Sequence, residues 1–139
     1  MHDFILHPQL ARDTAPVGDL PLARVLLMND ANYPWLILVP RRDGAVELID
    51  LAEEEQRQLT REIAQVSHAL KTMTACDKLN VAAIGNVVPQ LHVHIIARRR
   101  GDAAWPKPVW GTVPPVTYDR TARDEFVLAL RSKFALAAG

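Results

Sequence analysis

The chain has 139 residues, 49% of them apolar and 23% charged, and its 16 basic and 16 acidic side chains cancel to a net charge of zero. That length holds one domain, spanning 1–139, with a proper core and is short for two; the composition is that of a globular protein, neither disordered nor membrane-spanning. A neutral chain has no global field to hold a nucleic-acid backbone, so any anionic partner has to be gripped locally.

Residues 1–20 carry short apolar pieces broken by Pro8, Pro16 and Gly18, which predicts an N-terminal edge strand and loop. The opening Met1-His2-Asp3-Phe4 has neither a basic run nor a long apolar run, and no later segment approaches the roughly 20 apolar residues of a membrane span. The single Cys76 allows no intramolecular disulfide and reads as a buried small hydrophobe. A cytoplasmic protein with no membrane partner is expected.

Leu22 to Met28 is branched enough for a strand and ends in the turn cluster Asn29-Asp30-Ala31-Asn32. Trp35 to Val39, a continuous apolar run between Pro34 and Pro40, suits a central strand buried on both faces. After the Asp43-Gly44 turn, Val46 to Ile49 predicts a brief strand or extended link. Asp50, with Glu53 three residues on, then marks a helix start. Leu59, Ile63, Val66, Leu70 and Met73 draw one apolar stripe along a helix of about 25 residues. His68 falls off that stripe and is expected on the surface.

Leu79 to Ile84 predicts another strand, Gly85-Asn86 a turn, and residues 91–98 the strand that matters most. In Gln90-Leu91-His92-Val93-His94-Ile95-Ile96 polar and apolar residues alternate. Gln90, His92 and His94 therefore share one face, Leu91, Val93 and Ile95 the other. The apolar face is the natural partner of the helix stripe, which leaves the histidines looking toward a cleft. Arg98-Arg99-Arg100 reads as a solvated strand end. Residues 101–139 form an irregular arm with Trp105 and Trp110, then an amphipathic helix that begins near Thr121 and is marked by Phe126, Val127, Leu130 and Phe134. The fold class is α+β: an antiparallel sheet with a long helix across one face and a C-terminal helix.

Two imidazoles side by side admit three readings from the residues alone. They can be a hydrogen-bonded structural pair, two ligands of a metal site whose third ligand the spacing does not show (His7 or Asp102 being the residues that could approach), or a nucleophile and its helper at phosphorus.

The stretch from Gln90 to Ile96 resembles the signature of the histidine triad (HIT) family, His-φ-His-φ-His-φ-φ, with Gln90 in the first histidine position. The order of elements over roughly residues 20–105 is similar as well. The resemblance implies a homodimer acting, without cofactor or metal, on nucleoside phosphoramidates, dinucleoside polyphosphates or related small nucleotidyl compounds, with no nucleic-acid partner. It implies that His92 attacks the α-phosphorus to form a nucleotidyl-histidine, that His94 contacts the phosphate and helps the leaving group depart, and that Gln90 supports the site by hydrogen bonding. Asn29, or Asp30 if the register slips by one, corresponds to the ribose-holding position. Asn80 corresponds to a phosphate-touching amide, and Gly85-Asn86 to the Gly-Gln before the signature. Arg98 is a candidate to face the phosphates, or else a solvated or dimer-pairing residue. Trp105 and Trp110 are candidates to stack on a base, with packing the expected use of at least one. Val87 stands where many members carry Ser or Thr, and Val81-Ala82-Ala83-Ile84 reduces the glycine-rich character of the loop. The alternative function is nucleotide binding with little or no catalysis.

Overall fold

The structure, a computed structural model, describes residues 3–134. Five strands, β1 (Thr14–Asp19), β2 (Ala23–Met28), β3 (Trp35–Pro40), β4 (Lys78–Ala82) and β5 (Val93–Arg98), form one antiparallel sheet in the order β1-β2-β3-β5-β4. Helices α1 (Pro8–Asp13), α2 (Glu53–Thr74) and α3 (Arg120–Phe134) complete the α+β architecture. Residues 1–2 of the N-terminal segment and 135–139 of the C-terminal segment lie outside the described residues.

Helices α2 and α3 cover one face of the sheet. Leu59, Val66 and Leu70 of α2 join Val93 and Ile95 of β5 in one core, with Ile63 and Met73 at its margin. Val127, Leu130 and Phe134 of α3 enter the same core. The opposite face carries a second, smaller core, where Ile37, Val39 and Ile96 meet Leu10 of α1 and Val109 of the arm. Every residue of β3 is buried, as its unbroken apolar run predicts.

Four expectations need correction. Residues 8–13 are helical, and only 14–19 form the edge strand. Pro8 fits the first turn, where no intrahelical amide bond is required, and the His7 ring caps the helix through Nδ1, which accepts from the Gln9 amide at 3.0 Å. Residues 46–49 form no strand; a 3-10 turn occupies Leu48–Asp50. The Asp50 carboxylate closes that turn by accepting from the Val46 and Glu47 amides at 3.0 and 2.8 Å. So α2 starts later, at Glu53, where Glu55 reaches back to the Ala52 amide at 2.8 Å. The third correction is that the signature strand begins at Val93, with Gln90 to His92 leading into it. Last, β4 stops at Ala82, short of Ile84.

Within the α2 stripe sits a carboxylate, Glu62, which is 1% exposed. It accepts from the Leu22 and Ala23 amides at 2.9 and 2.8 Å, where the chain turns from β1 into β2, and from Gln58 at 2.6 Å. Buried amides need acceptors, and here the helix supplies one. Among the described residues no helix is long and apolar enough to cross a membrane.

Candidate active site

His94 lies in β5 between Ile37 of β3 and Ala82 of β4, so its ring rises from the middle of the sheet rather than from an edge. His92 stands one step before the strand. Their ring centroids are 4.9 Å apart at 71°, and both side chains are buried. The His94 side of this face is covered by the arm, whose Trp110 ring lies against it, while His92 borders a recess.

The hydrogen bonds fix both tautomers. Nδ1 of His92 lies 2.7 Å from the Gln90 carbonyl oxygen. A carbonyl only accepts, so Nδ1 carries the hydrogen and Nε2 keeps its lone pair. His94 has the reverse arrangement: its Nδ1 accepts from the Trp35 indole N–H at 3.0 Å. An indole only donates, so the His94 hydrogen sits on Nε2. Burial, helped by the neighbouring His92, pushes the His94 pKa down to about 4. With both rings neutral the dyad thus offers one free lone pair and one N–H donor.

Trp110 of the arm packs edge-on against His94, centroids 5.1 Å apart, and against Trp35 at 5.8 Å. The arm is held by the turn after β2. Asn29 Oδ1 accepts from the Tyr118 amide at 2.9 Å and Asp30 Oδ1 from the Val116 amide at 3.3 Å. Between turn and arm lies a recess of about 430 Å³ bounded by Arg12, Asn29, Asp30, Trp35 and Trp110. A second recess, about 260 Å³, opens beside His92 against Glu47, Leu48, Ile49, Ile84 and Gly85. Gly85 has φ of +70°, the left-handed conformation that favours glycine.

The remaining sequence candidates separate. The Gln90 amide points away from the histidines: Nε2 donates to the Ile5 carbonyl at 2.9 Å and Oε1 accepts from the His7 amide at 2.8 Å. Its backbone carbonyl, not its side chain, is what touches His92. Arg98 is 1% exposed, which overturns the solvated strand end for this residue. It forms a bidentate pair with Asp102 at 2.8 and 3.0 Å and donates to Asn80 Oδ1 at 2.8 Å. It also lies over the Tyr33 and Trp105 rings, 5.6 and 5.4 Å from their centroids. Arg98, Asn80 and Trp105 are therefore built into one packed cluster. Burial pushes the Asp102 pKa up, but the hydrogen bonds from Arg98 and from the Arg99 and Trp105 amides outweigh it, holding the carboxyl below its usual range. Asn86 and Val87 are exposed on the loop after Gly85, His68 is exposed, and Cys76 is buried.

The two residues weighed as a third metal ligand are engaged elsewhere, His7 as a helix cap and Asp102 with Arg98. Among the described residues no group of three or more His, Cys, Asp or Glu could hold a metal ion. Sequence reasoning passed over Trp35, whose indole N–H orients His94. The available signal was that a buried tryptophan needs an acceptor, and on this strand the antiparallel partner supplies one.

The sheet order, with His94 on β5 and His92 just before it, is that of a HIT-fold protein, and the sequence agrees: the HIT domain family model matches residues 10–101, so the chain belongs to the histidine triad family. It is similar to the crystal structure of a histidine triad protein from Bradyrhizobium japonicum, with 61% identity and a TM-score of 0.93 over 96% of this chain and 99% of that one. A histidine triad protein from Marinobacter aquaeolei VT8 matches at 45% identity and a TM-score of 0.93, over 98% and 100% of the two chains. One from Sinorhizobium meliloti 1021 matches at 42% and 0.91, over 94% and 96%. No curated protein matches the sequence significantly.

Proposed function

We propose that the protein is a nucleotidyl hydrolase or transferase that works through a covalent nucleotidyl-His92 intermediate. The observation that carries this reading is the Gln90 carbonyl bond, which holds the hydrogen on Nδ1 and leaves Nε2 of His92 bare beside the His94 donor. Nε2 attacks the α-phosphorus of a nucleoside phosphoramidate or dinucleoside polyphosphate. The P–Nε2 bond forms, and the bond to the leaving group breaks with its electron pair going to that group. Water or another acceptor then attacks phosphorus and returns the pair to Nε2. His94, neutral at working pH, assists by a hydrogen bond from Nε2–H to a phosphoryl oxygen as charge develops there, not by giving up a proton.

The nucleoside is assigned to the larger recess, with Asn29 and Asp30 toward the ribose and Trp110 beside the base; Asn86 stays a candidate for the phosphate side. A cytoplasmic homodimer belongs to the same reading. The alternative, nucleotide binding without turnover, draws its support from Trp110, which covers the His94 ring.

Mass spectrometry of protein quenched during turnover separates the two. A nucleotidyl mass is expected on the peptide that carries His92. His92→Ala is expected to lose that adduct and at least roughly a thousandfold in turnover, as removal of a nucleophile does. Tight binding of a nucleoside monophosphate with no adduct under any condition decides for the alternative.

A further inference from the structure

The wall that the arm gives to the larger recess also reaches the histidines. Trp35 and Trp110 both border that recess, and both touch His94: the Trp35 indole donates to Nδ1 at 3.0 Å, and the Trp110 ring stands edge-on to the imidazole, centroids 5.1 Å apart. The two tryptophans are held differently. Trp35 is 6% exposed and paired against Ile96 within the sheet, so its place is fixed. Trp110 is 36% exposed, belongs to neither core, and depends on the arm.

The arm is seated on both sides of Trp110. Before it, Val109 is buried in the second core, and the Thr112 hydroxyl donates to the Pro108 carbonyl at 2.6 Å, closing a turn around Trp110 and Gly111. After it, the chain lies on the turn that follows β2. Asn32 Nδ2 donates to the Pro114 carbonyl at 3.1 Å and the Ala31 amide to the Val116 carbonyl at 2.6 Å, while Asn29 and Asp30 accept from the Tyr118 and Val116 amides. Asn29 and Asp30 also border the recess, so a ligand there touches both the seat of the arm and the arm itself. Asn32 holds the arm without bordering the recess.

We infer that Trp110 is a positioning residue for His94, and that the arm carrying it transmits the filling of the larger recess to the histidine pair. The inference rests on the nucleotidyl-transfer reading, with the nucleoside in that recess, and deepens it. A base that packs on Trp110 takes apolar surface of both out of water and stabilises the seated arm. The seated Trp110 ring holds the His94 imidazole on its Trp35 donor, so Nε2–H keeps one direction. Binding energy from the base, remote from phosphorus, thereby goes into the geometry of the reacting pair and appears in kcat as well as KM.

The test compares a nucleoside phosphoramidate with its abasic analogue, in which hydrogen replaces the base, on the parent protein and three variants. In the parent, loss of the base is expected to lower kcat about tenfold in addition to raising KM. Trp110→Ala, which leaves both cores intact, should lower kcat for the nucleoside compound about tenfold and leave the abasic one nearly unchanged. Trp110→Phe keeps an aromatic edge and should restore most of the difference. Asn32→Ala acts only through the arm and should cut the kcat advantage of the base about threefold, the share of one neutral hydrogen bond. A second readout needs no turnover: the nucleoside monophosphate should shift the His94 ring resonances further than its abasic analogue does, and Trp110→Ala should erase that difference. If Trp110→Ala lowers kcat equally for both compounds, or changes KM alone, the arm is a static wall or a base platform, and the link is overturned while the nucleotidyl-transfer reading stands. Equal His94 shifts with both ligands in the parent overturn it as well. If no His92 adduct forms with any compound, the nucleotidyl-transfer reading itself falls and takes the kinetic role of Trp110 with it.

Discussion

Arg98 and His94 stand on the same face of β5, four residues apart and both buried, yet their surroundings are opposite in character. The guanidinium spends Nε and both terminal nitrogens on Asp102 and Asn80 and has aromatic rings against it. The imidazoles of His92 and His94 each have one nitrogen bonded to a partner of fixed polarity, and the other is left over. A buried polar group whose bonds are all made is part of the framework; one whose bonds are half made is available for chemistry. Charge alone points the other way, since an arginine near a presumed phosphate site looks like the better ligand. The bond count reverses that ranking.

The largest test of this contrast is Arg98→Ala. It strands the Asp102 carboxylate in a nearly dry site, and the expected cost is about 3–5 kcal/mol of stability, measured by urea or guanidinium unfolding. Arg98→Lys should rescue little, because an ammonium cannot reproduce the bidentate fork. If Arg98→Ala instead unfolds like the parent protein and loses only phosphate affinity, the framework role is wrong.

The second test uses pH. The folded pKa of His94, about 4, lies below its unfolded value near 6.5, so between those limits the unfolded chain binds the proton first. Stability is unaffected by this group above about pH 6.5, declines as pH falls through the window, and by pH 4 has lost roughly 3 kcal/mol. His94→Gln should remove that part of the slope; unfolding midpoints of the two proteins across the window give the difference. Parallel curves would mean that His94 is not held neutral.

Gln90→Ala probes a side chain that the family resemblance assigns to the site and the structure turns toward residues 5–7. Loss of its two backbone contacts should cost about 1–2 kcal/mol in stability with kcat nearly unchanged. A fall in kcat with no change in stability would return the Gln90 amide to the chemistry. The smallest effect is expected from Trp35→Phe, which keeps the ring packing and deletes the donor to His94 Nδ1. With one neutral hydrogen bond gone, about 1 kcal/mol, kcat should drop roughly fivefold while KM moves little.

Local pattern determined a good deal of this protein. The apolar run of β3, the α2 stripe and the alternation around His92 each follow from periodicity, because a buried face imposes its spacing on the residues that fill it. Those features were enough to place two histidines on one face and, through the signature, to point to the family. Tertiary structure decided what the polar residues do. Asp50, read as the cap of α2, closes a turn before it; Glu62, in the middle of an apolar stripe, serves amides some 40 residues away; and Gln90, beside the histidines in sequence, bonds residues more than 80 positions distant. Arg98 disappears into a cluster, and Trp35 sets the tautomer of His94. Hydrophobic burial is written in spacing, whereas a hydrogen bond needs a particular partner within about 3 Å, and only the folded chain brings those partners together.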